Sequence, residues 1–205
     1  MSDSAPSRAA SPSPVAKQRR GLPAADLARI VVFAAFTAVL GTFPGIYLAG
    51  SAVPIVLQNT GPLLCGSLLG ARRGTASVAL FLALVALGLP LLSGGRGGIA
   101  PFVGPSAGFL FGWLLSALVV GLIVFLVRKP TLPVLLLANL AGITVDYLVG
   151  LPVMAAAMGD FRAAGIAMIG YVPGDLAKVV LVSLVAVAVH RAFPNAAPHR
   201  ERTAR

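Results

Sequence analysis

The segment Tyr171-Val172-Pro173-Gly174-Asp175-Leu176-Ala177-Lys178 sets an acid and a base three residues apart in otherwise apolar surroundings. At that spacing both side chains share one helix face, so they can neutralise each other or jointly meet a polar ligand. Pro173 suits a helix start, and Asp175 just behind it is favoured by the positive end of the helix dipole. The pair is therefore expected at the outer end of a helix. A charge at the centre of a membrane costs about 2.5–3.5 kcal/mol on insertion scales, and less near the interface. Such a pair marks either an internal ion pair or a substrate path, and the substrate path is the favoured reading.

A second candidate is the run Gly88-Leu89-Pro90-Leu91-Leu92-Ser93-Gly94-Gly95-Arg96-Gly97-Gly98. Arg96 can grip a carboxylate with two parallel hydrogen bonds. Gly94, Gly95, Gly97 and Gly98 give a backbone that can approach a ligand closely and offer amide donors. Read alone, the run is equally a flexible linker with an incidental arginine. Gln58, Asn59, Asn139 and Asp146 are further polar groups in apolar surroundings, and Tyr147 and Tyr171 are candidate pocket-lining groups. Gln58 and Asn59 can either pair with an amide-like or urea-like ligand or join helices to one another.

Several chemistries have no residues to carry them. There is no GxxxxGK[S/T] phosphate loop for ATP hydrolysis. His190 and His199 stand outside any HExxH or Cys/His cluster, so neither a metal nor a cofactor is expected. No Ser, His and Asp set falls at one depth, and no catalytic residue is assigned. A membrane enzyme is accordingly the weakest of the functional classes.

The elements that must position these residues follow from composition. The chain has 205 residues, 58% of them hydrophobic and only 11% charged, with a mean hydropathy of +0.93. A soluble domain of this size needs more charge to cover its surface, so lipid is the expected solvent. The single cysteine, Cys65, excludes an intrachain disulfide and reads as a packing residue. A net charge of +10 raises nucleic acid as a partner. The basic residues, however, sit at the ends of apolar segments and in the tails, without aromatic interleaving, so nucleic acid is not expected.

A membrane-crossing helix needs about 20 mostly apolar residues. Six stretches qualify: roughly 27–43, 52–70, 74–91, 105–127, 132–157 and 166–193. With six crossings, Arg8, Lys17, Arg19, Arg20, Arg29, Arg72, Arg73, Arg128, Lys129, Arg191, Arg200, Arg202 and Arg205 all fall on one side. The loops near 44–51, 92–104 and 158–165 hold only Arg96 and Arg162. The positive-inside rule then places both termini in the cytoplasm. The expected fold is all-α, a multi-pass bundle of six transmembrane helices over residues 26–194 in the cell membrane. Residues 1–25, rich in Ser, Ala and Pro, read as a disordered cytoplasmic tail, and 195–205 as a basic one. A secretory signal built on Arg19-Arg20 is the competing reading of the first segment, but its removal would spoil the charge parity. Small residues at spacings of four, Gly104, Gly108 and Gly112 in one span and Ala34 and Ala38 in another, allow close helix contact.

Three segments taken together, "VPIVLQNTGPLLCGSLLGARRG", "GLPLLSGGRGGIAPFVGPSAGFLFGW" and "YVPGDLAKVVL", resemble the BioY family, the biotin-specific S components of energy-coupling-factor (ECF) transporters. The resemblance runs from about residue 30 to 190. The middle block departs from the family's GPTGGY pattern, with Ser106, Ala107 and Phe109 in place of Thr, Gly and Tyr. The resemblance implies a six-helix subunit that binds biotin from outside, together with a transmembrane coupling subunit and ATPase subunits. It maps the family's GDxxK segment onto Gly174, Asp175 and Lys178, its glycine loop onto Gly94 to Gly98, and its docking motif for the coupling subunit onto Ala34 and Ala38. In such a site Asp175 would accept from a ureido N–H, while Lys178 or Arg96 met the carboxylate or the ureido oxygen. An S component for another vitamin and an ion-coupled carrier relaying through Asp175 and Lys178 are the alternatives.

Overall fold

The computed structural model describes residues 23–47, 52–127 and 130–193. The calls for a tail at 1–25 and a basic tail at 195–205 therefore lie almost wholly outside the described residues, although Ala24 already opens the first helix. The chain forms α1 (Ala24–Leu40), α2 (Thr60–Ala86), a short α3 (Ala100–Val103), α4 (Ala107–Leu126), α5 (Leu132–Met158) and α6 (Phe161–Ala192). Among the described residues, four helical stretches are long and apolar enough to cross a membrane: Leu57–Ala86, α4, α5 and α6.

The helical run of α2 is broken at Gly70, which adopts φ 76° and ψ −178°. A left-handed φ with extended ψ is a glycine conformation, and here it reverses the chain. A Cβ built on Gly74 would lie 2.6 Å from the carbonyl oxygen of Cys65. Residues nine apart in a straight helix are separated by about 13 Å, so the limbs 60–69 and 71–86 must run antiparallel. With α1, α4, α5 and α6 these limbs make six long segments, as the apolar pattern predicts.

Large apolar side chains are exposed along the outward faces: Val31, Val32, Phe36 and Val39 on α1, Leu122 and Leu126 on α4, and Val180, Leu181 and Leu184 on α6. Water would penalise such a surface, whereas lipid suits it. Lipid also removes the hydrophobic drive between helices, so close packing must hold the bundle together. Glycine supplies it. Gly66 backs onto the Ala117 carbonyl and Val120, and Gly121 receives the Gly70-Ala71 backbone of the α2 reversal. Gly108 and Gly112 seat α4 against Val149 and Asp146 of α5, as their spacing predicts. Buried hydrogen bonds add to this. The Ser67 hydroxyl donates to Asn139 Oδ1 at 3.0 Å, and Asn139 Nδ2 donates to the Ser183 hydroxyl at 3.0 Å, tying α2, α5 and α6.

At one end of the bundle Arg73 meets Asp26 at 2.9 Å, Arg29 meets the same carboxylate at 3.5 Å, and the His190 ring contacts the Ser67 carbonyl at 2.9 Å. The 88–98 loop and the Gly159-Asp160 turn lie at the other.

Three expected boundaries move. The segment 52–56 is non-helical, bending at Ala52 and Val53 and bridged at Ile55 to Ile46, and helix begins only after a 3-10 turn at Leu57–Asn59. Pro54 lacks the N–H that a helix would use and biases Val53 toward extended backbone. The 158–165 loop shrinks to Gly159 and Asp160, because the Asp160 carboxylate accepts from the amides of Arg162 and Ala163 and starts α6 there. Pro173 is consequently inside α6 rather than at its start. Asp175 lies about 21 Å along a helix about 48 Å long, at 1.5 Å per residue. The Asp175–Lys178 pair is therefore mid-helix, and the helix dipole has no part in holding it.

Candidate ligand-binding site

The pair lines a cavity. Lys178 Nζ donates to Asp175 Oδ1 at 2.8 Å and to the Val56 carbonyl at 2.7 Å. Tyr147, from α5, donates its hydroxyl to Asp175 Oδ2 at 2.5 Å, and Asn59 Nδ2 donates to Oδ1 at 3.1 Å. Both charged side chains are nearly buried, at 6% exposure for Asp175 and 10% for Lys178. Buried charges are tolerated when paired and hydrogen-bonded, and here one carboxylate gathers three donors from three elements.

The cavity takes in about 570 Å³ of empty space, part of it open to solvent. Its walls combine apolar surface (Val53, Ile55, Phe109, Leu110, Trp113) with Gln58, Asn59, Arg96, Asp146, Tyr147, Tyr171, Asp175 and Lys178. Val53, Pro54, Ile55 and Val56 of the non-helical segment form one wall. Tyr171 fixes it by donating its hydroxyl to the Val53 carbonyl at 2.7 Å, and Lys178 by its bond to Val56. A non-helical segment suits this role because its carbonyls are not committed to a helix ladder and can accept from side chains, as Val53 and Val56 do.

A model described as the BioY family matches residues 12–195. The chain belongs to the BioY family. It is 45% identical over 181 residues to the biotin transporter BioY of Rhodobacter capsulatus, covering 82% of this chain and 94% of that one. It is 41% identical over 177 residues to the biotin transporter BioY of Rhizobium etli, covering 82% and 95%. Among solved structures it resembles the S-component for biotin from an ECF-type ABC transporter, with a TM-score of 0.75 and 32% identity over 82% of this chain and 91% of that one. The fold is that of an all-α membrane S component, and these relatives are transporters rather than enzymes.

Within this BioY-family fold, Asp175, Lys178, Arg96, Gln58, Tyr147 and Tyr171 all line one cavity. One of them differs in role from the expectation. Gln58 is fully buried, and its amide is committed to the protein: Nε2 donates to the carbonyls of Thr37 (3.0 Å) and Leu91 (2.8 Å), and Oε1 accepts from the Ser93 amide (3.1 Å). It joins α1 to the loop behind the site. Arg96 donates Nε to the Ser93 carbonyl at 3.1 Å, which leaves its two terminal nitrogens without protein partners among the described residues. That is the fork a carboxylate fits.

The glycines act differently from the expectation. Gly94, Gly95, Gly97 and Gly98 are not part of the cavity wall. Gly94 (φ 79°) and Gly95 (φ 69°) turn the chain back so that Arg96 bridges to Leu92, and this turn aims the guanidinium. A Cβ on Gly97 would run into the Leu89 carbonyl. Ala34 also departs from its assignment: it is buried, and Ala38 half-buried, against the chain's own α2 and α4 residues Cys65, Phe81 and Trp113. The outward face of α1 is instead Leu27, Val31, Val32, Phe36 and Val39.

Asn59, Asp146, Phe109 and Trp113 line the cavity without having been assigned to it. The first two were legible as polar groups in apolar runs. The aromatics lie in the segment whose glycine spacing reads as packing.

Proposed function

We propose that this chain captures biotin from outside the cell for ATP-driven uptake. The observation that carries the reading is the cavity itself: a buried Asp175–Lys178–Tyr147–Asn59 network at one end of apolar and aromatic walls, with the open guanidinium of Arg96 on the same cavity. Biotin combines a polar cyclic urea, an apolar bicycle and a carboxylate tail, and these walls offer a counterpart to each. Membership of a family whose named members are biotin transporters points to the same ligand.

The chain works with a transmembrane coupling subunit and ATPase subunits in the cell membrane, with both termini in the cytoplasm. Thirteen basic residues on the inner side against Arg96 and Arg162 on the outer support that orientation. No ATP-binding loop occurs in the sequence, so hydrolysis belongs to partners. The partner surface is assigned to the exposed apolar face of α1, in place of Ala34 and Ala38.

Uptake of labelled biotin by a biotin-requiring host tests this reading. Expression with the coupling and ATPase subunits should give accumulation that vanishes when the ATPases are inactivated and survives collapse of the proton gradient. Accumulation that follows the proton gradient and ignores the ATPases would favour an ion-coupled carrier instead.

A further inference from the structure

A second cavity opens at the opposite end of the bundle, where α1 begins, α2 reverses and α6 ends. It takes in about 520 Å³ of empty space, part of it open, and none of its lining residues belongs to the first cavity. Arg29, Arg73 and His190 bring basic groups to it, while Phe33, Leu68, Leu69 and Phe193 supply apolar and aromatic wall. The reversal at Gly70 creates this mixture. Leu68 and Leu69 end the first limb of α2 just before it, and Arg73 opens the returning limb three residues after it. On α1, Arg29 and Phe33 are four residues apart and share one face, with Phe33 about 6 Å deeper along the helix. The His190 ring completes the wall, held at 2.9 Å by the Ser67 carbonyl.

The charges at this cavity do not balance. Asp26 is the one acidic partner of both arginines among the described residues, at 2.9 Å from Arg73 and 3.5 Å from Arg29. Two guanidiniums of about five N–H donors each share a single carboxylate, which leaves positive charge and donors for a second anion. A small free anion would meet the arginines and leave the apolar walls wet. An anion that carries a hydrocarbon chain satisfies both parts of the lining. Such molecules surround a membrane bundle at this level, and basic pockets between membrane helices take up anionic lipid headgroups. The cavity also lies between α1, α2 and α6, apart from the outward face of α1 assigned to the coupling subunit.

We propose that this cavity binds one anionic phospholipid, with Arg29 and Arg73 holding the headgroup phosphate and an acyl chain lying against Phe33, Leu68 and Leu69. The bound lipid ties α1 and α2 to the end of α6. It is a structural site, independent of the ligand at the other end of the bundle.

The test uses the purified full chain in phosphatidylcholine–detergent micelles, without biotin, titrated with phosphatidylglycerol. Retention is read by native mass spectrometry and stabilisation by thermal unfolding. Wild type should retain one phosphatidylglycerol per chain and unfold at a higher temperature when it is present. At about 5-fold per arginine, Arg29→Gln with Arg73→Gln should weaken retention about 30-fold. Should that double variant not fold, Arg29→Gln alone keeps the Arg73–Asp26 pair and should still lose about 5-fold. Asp26→Asn keeps both cations and should retain the lipid at least as well as wild type. Were the cluster only an internal ion pair, Asp26→Asn and Arg73→Gln would instead behave alike. Arg72→Gln, exposed and outside the cavity, should stay within about twofold of wild type. No preference for phosphatidylglycerol over phosphatidylcholine, or an equal loss in Arg72→Gln, overturns the proposal. So does equal stabilisation by inorganic phosphate, which would mean a free-anion site. A cavity filled only by an acidic segment of a partner subunit would leave the lone chain without retained lipid, and that result also refutes it.

Discussion

Removing Asp175 should cost more than removing Lys178, and removing both should cost less than the sum. Asp175 is shared by three donors, whereas Lys178 serves one carboxylate and the Val56 carbonyl. In Asp175→Leu a nearly buried ammonium keeps only Val56, and the Tyr147 hydroxyl and Asn59 amide lose their acceptor. Breaking a buried pair from one side costs about 3–5 kcal/mol. The retained carbonyl bond places this case near the lower end, about 3 kcal/mol. In Lys178→Met the carboxylate keeps Tyr147 and Asn59, so about 1.5 kcal/mol is expected, close to one charge-assisted hydrogen bond. The double variant leaves no uncompensated cation and should lose only about 2 kcal/mol, a coupling of about 2.5 kcal/mol. Equilibrium unfolding of the purified chain in mixed micelles, with the four proteins compared under one condition, measures all three values. Additivity within about 0.5 kcal/mol would refute the reasoning, since it would mean that the two charges do not depend on each other.

Gly121→Val should lower the unfolding temperature of the purified chain far more than a surface change, because its side chain would be driven into the Gly70-Ala71 backbone of the α2 reversal. A cost of about 1–3 kcal/mol, typical of overpacking, is expected. Asn139→Leu cuts the Ser67–Asn139–Ser183 ladder and should destabilise by about 0.6–1.7 kcal/mol, from the average to the maximum found for such bonds in a membrane bundle. Its biotin affinity should stay near wild type, since Asn139 is not part of the cavity wall. Arg96→Met should weaken biotin by about 2 kcal/mol in titrations while leaving biotin methyl ester almost unaffected, because only the acid engages the guanidinium fork.

The number of spans was legible because lipid imposes a length on every crossing and charge bias marks its ends. Asp175, Lys178 and Arg96 were legible as candidates because a charge in an apolar run is costly enough to need a reason. What lay beyond the sequence was long-range pairing. Gln58 looks like a ligand group until Thr37 and Leu91, 21 and 33 residues away, are seen to occupy its amide. The 52–56 segment reads as part of a span because a short apolar run carries no mark separating helix from extended chain. Pro173 reads as a helix start because soluble helices break there, whereas a membrane bundle tolerates the lost hydrogen bond inside α6. Asn59 and Asp146 were visible as polar residues, but that they line one cavity with Asp175 is a property of the assembled fold.

Equilibrium binding of labelled biotin to the purified chain, without partner subunits, tests the central claim most directly. The account predicts saturable binding with one biotin per chain, competed by unlabelled biotin and not by thiamine or riboflavin, and strongly weakened in Lys178→Met. Absence of saturable binding, or undiminished binding in Lys178→Met, would contradict it.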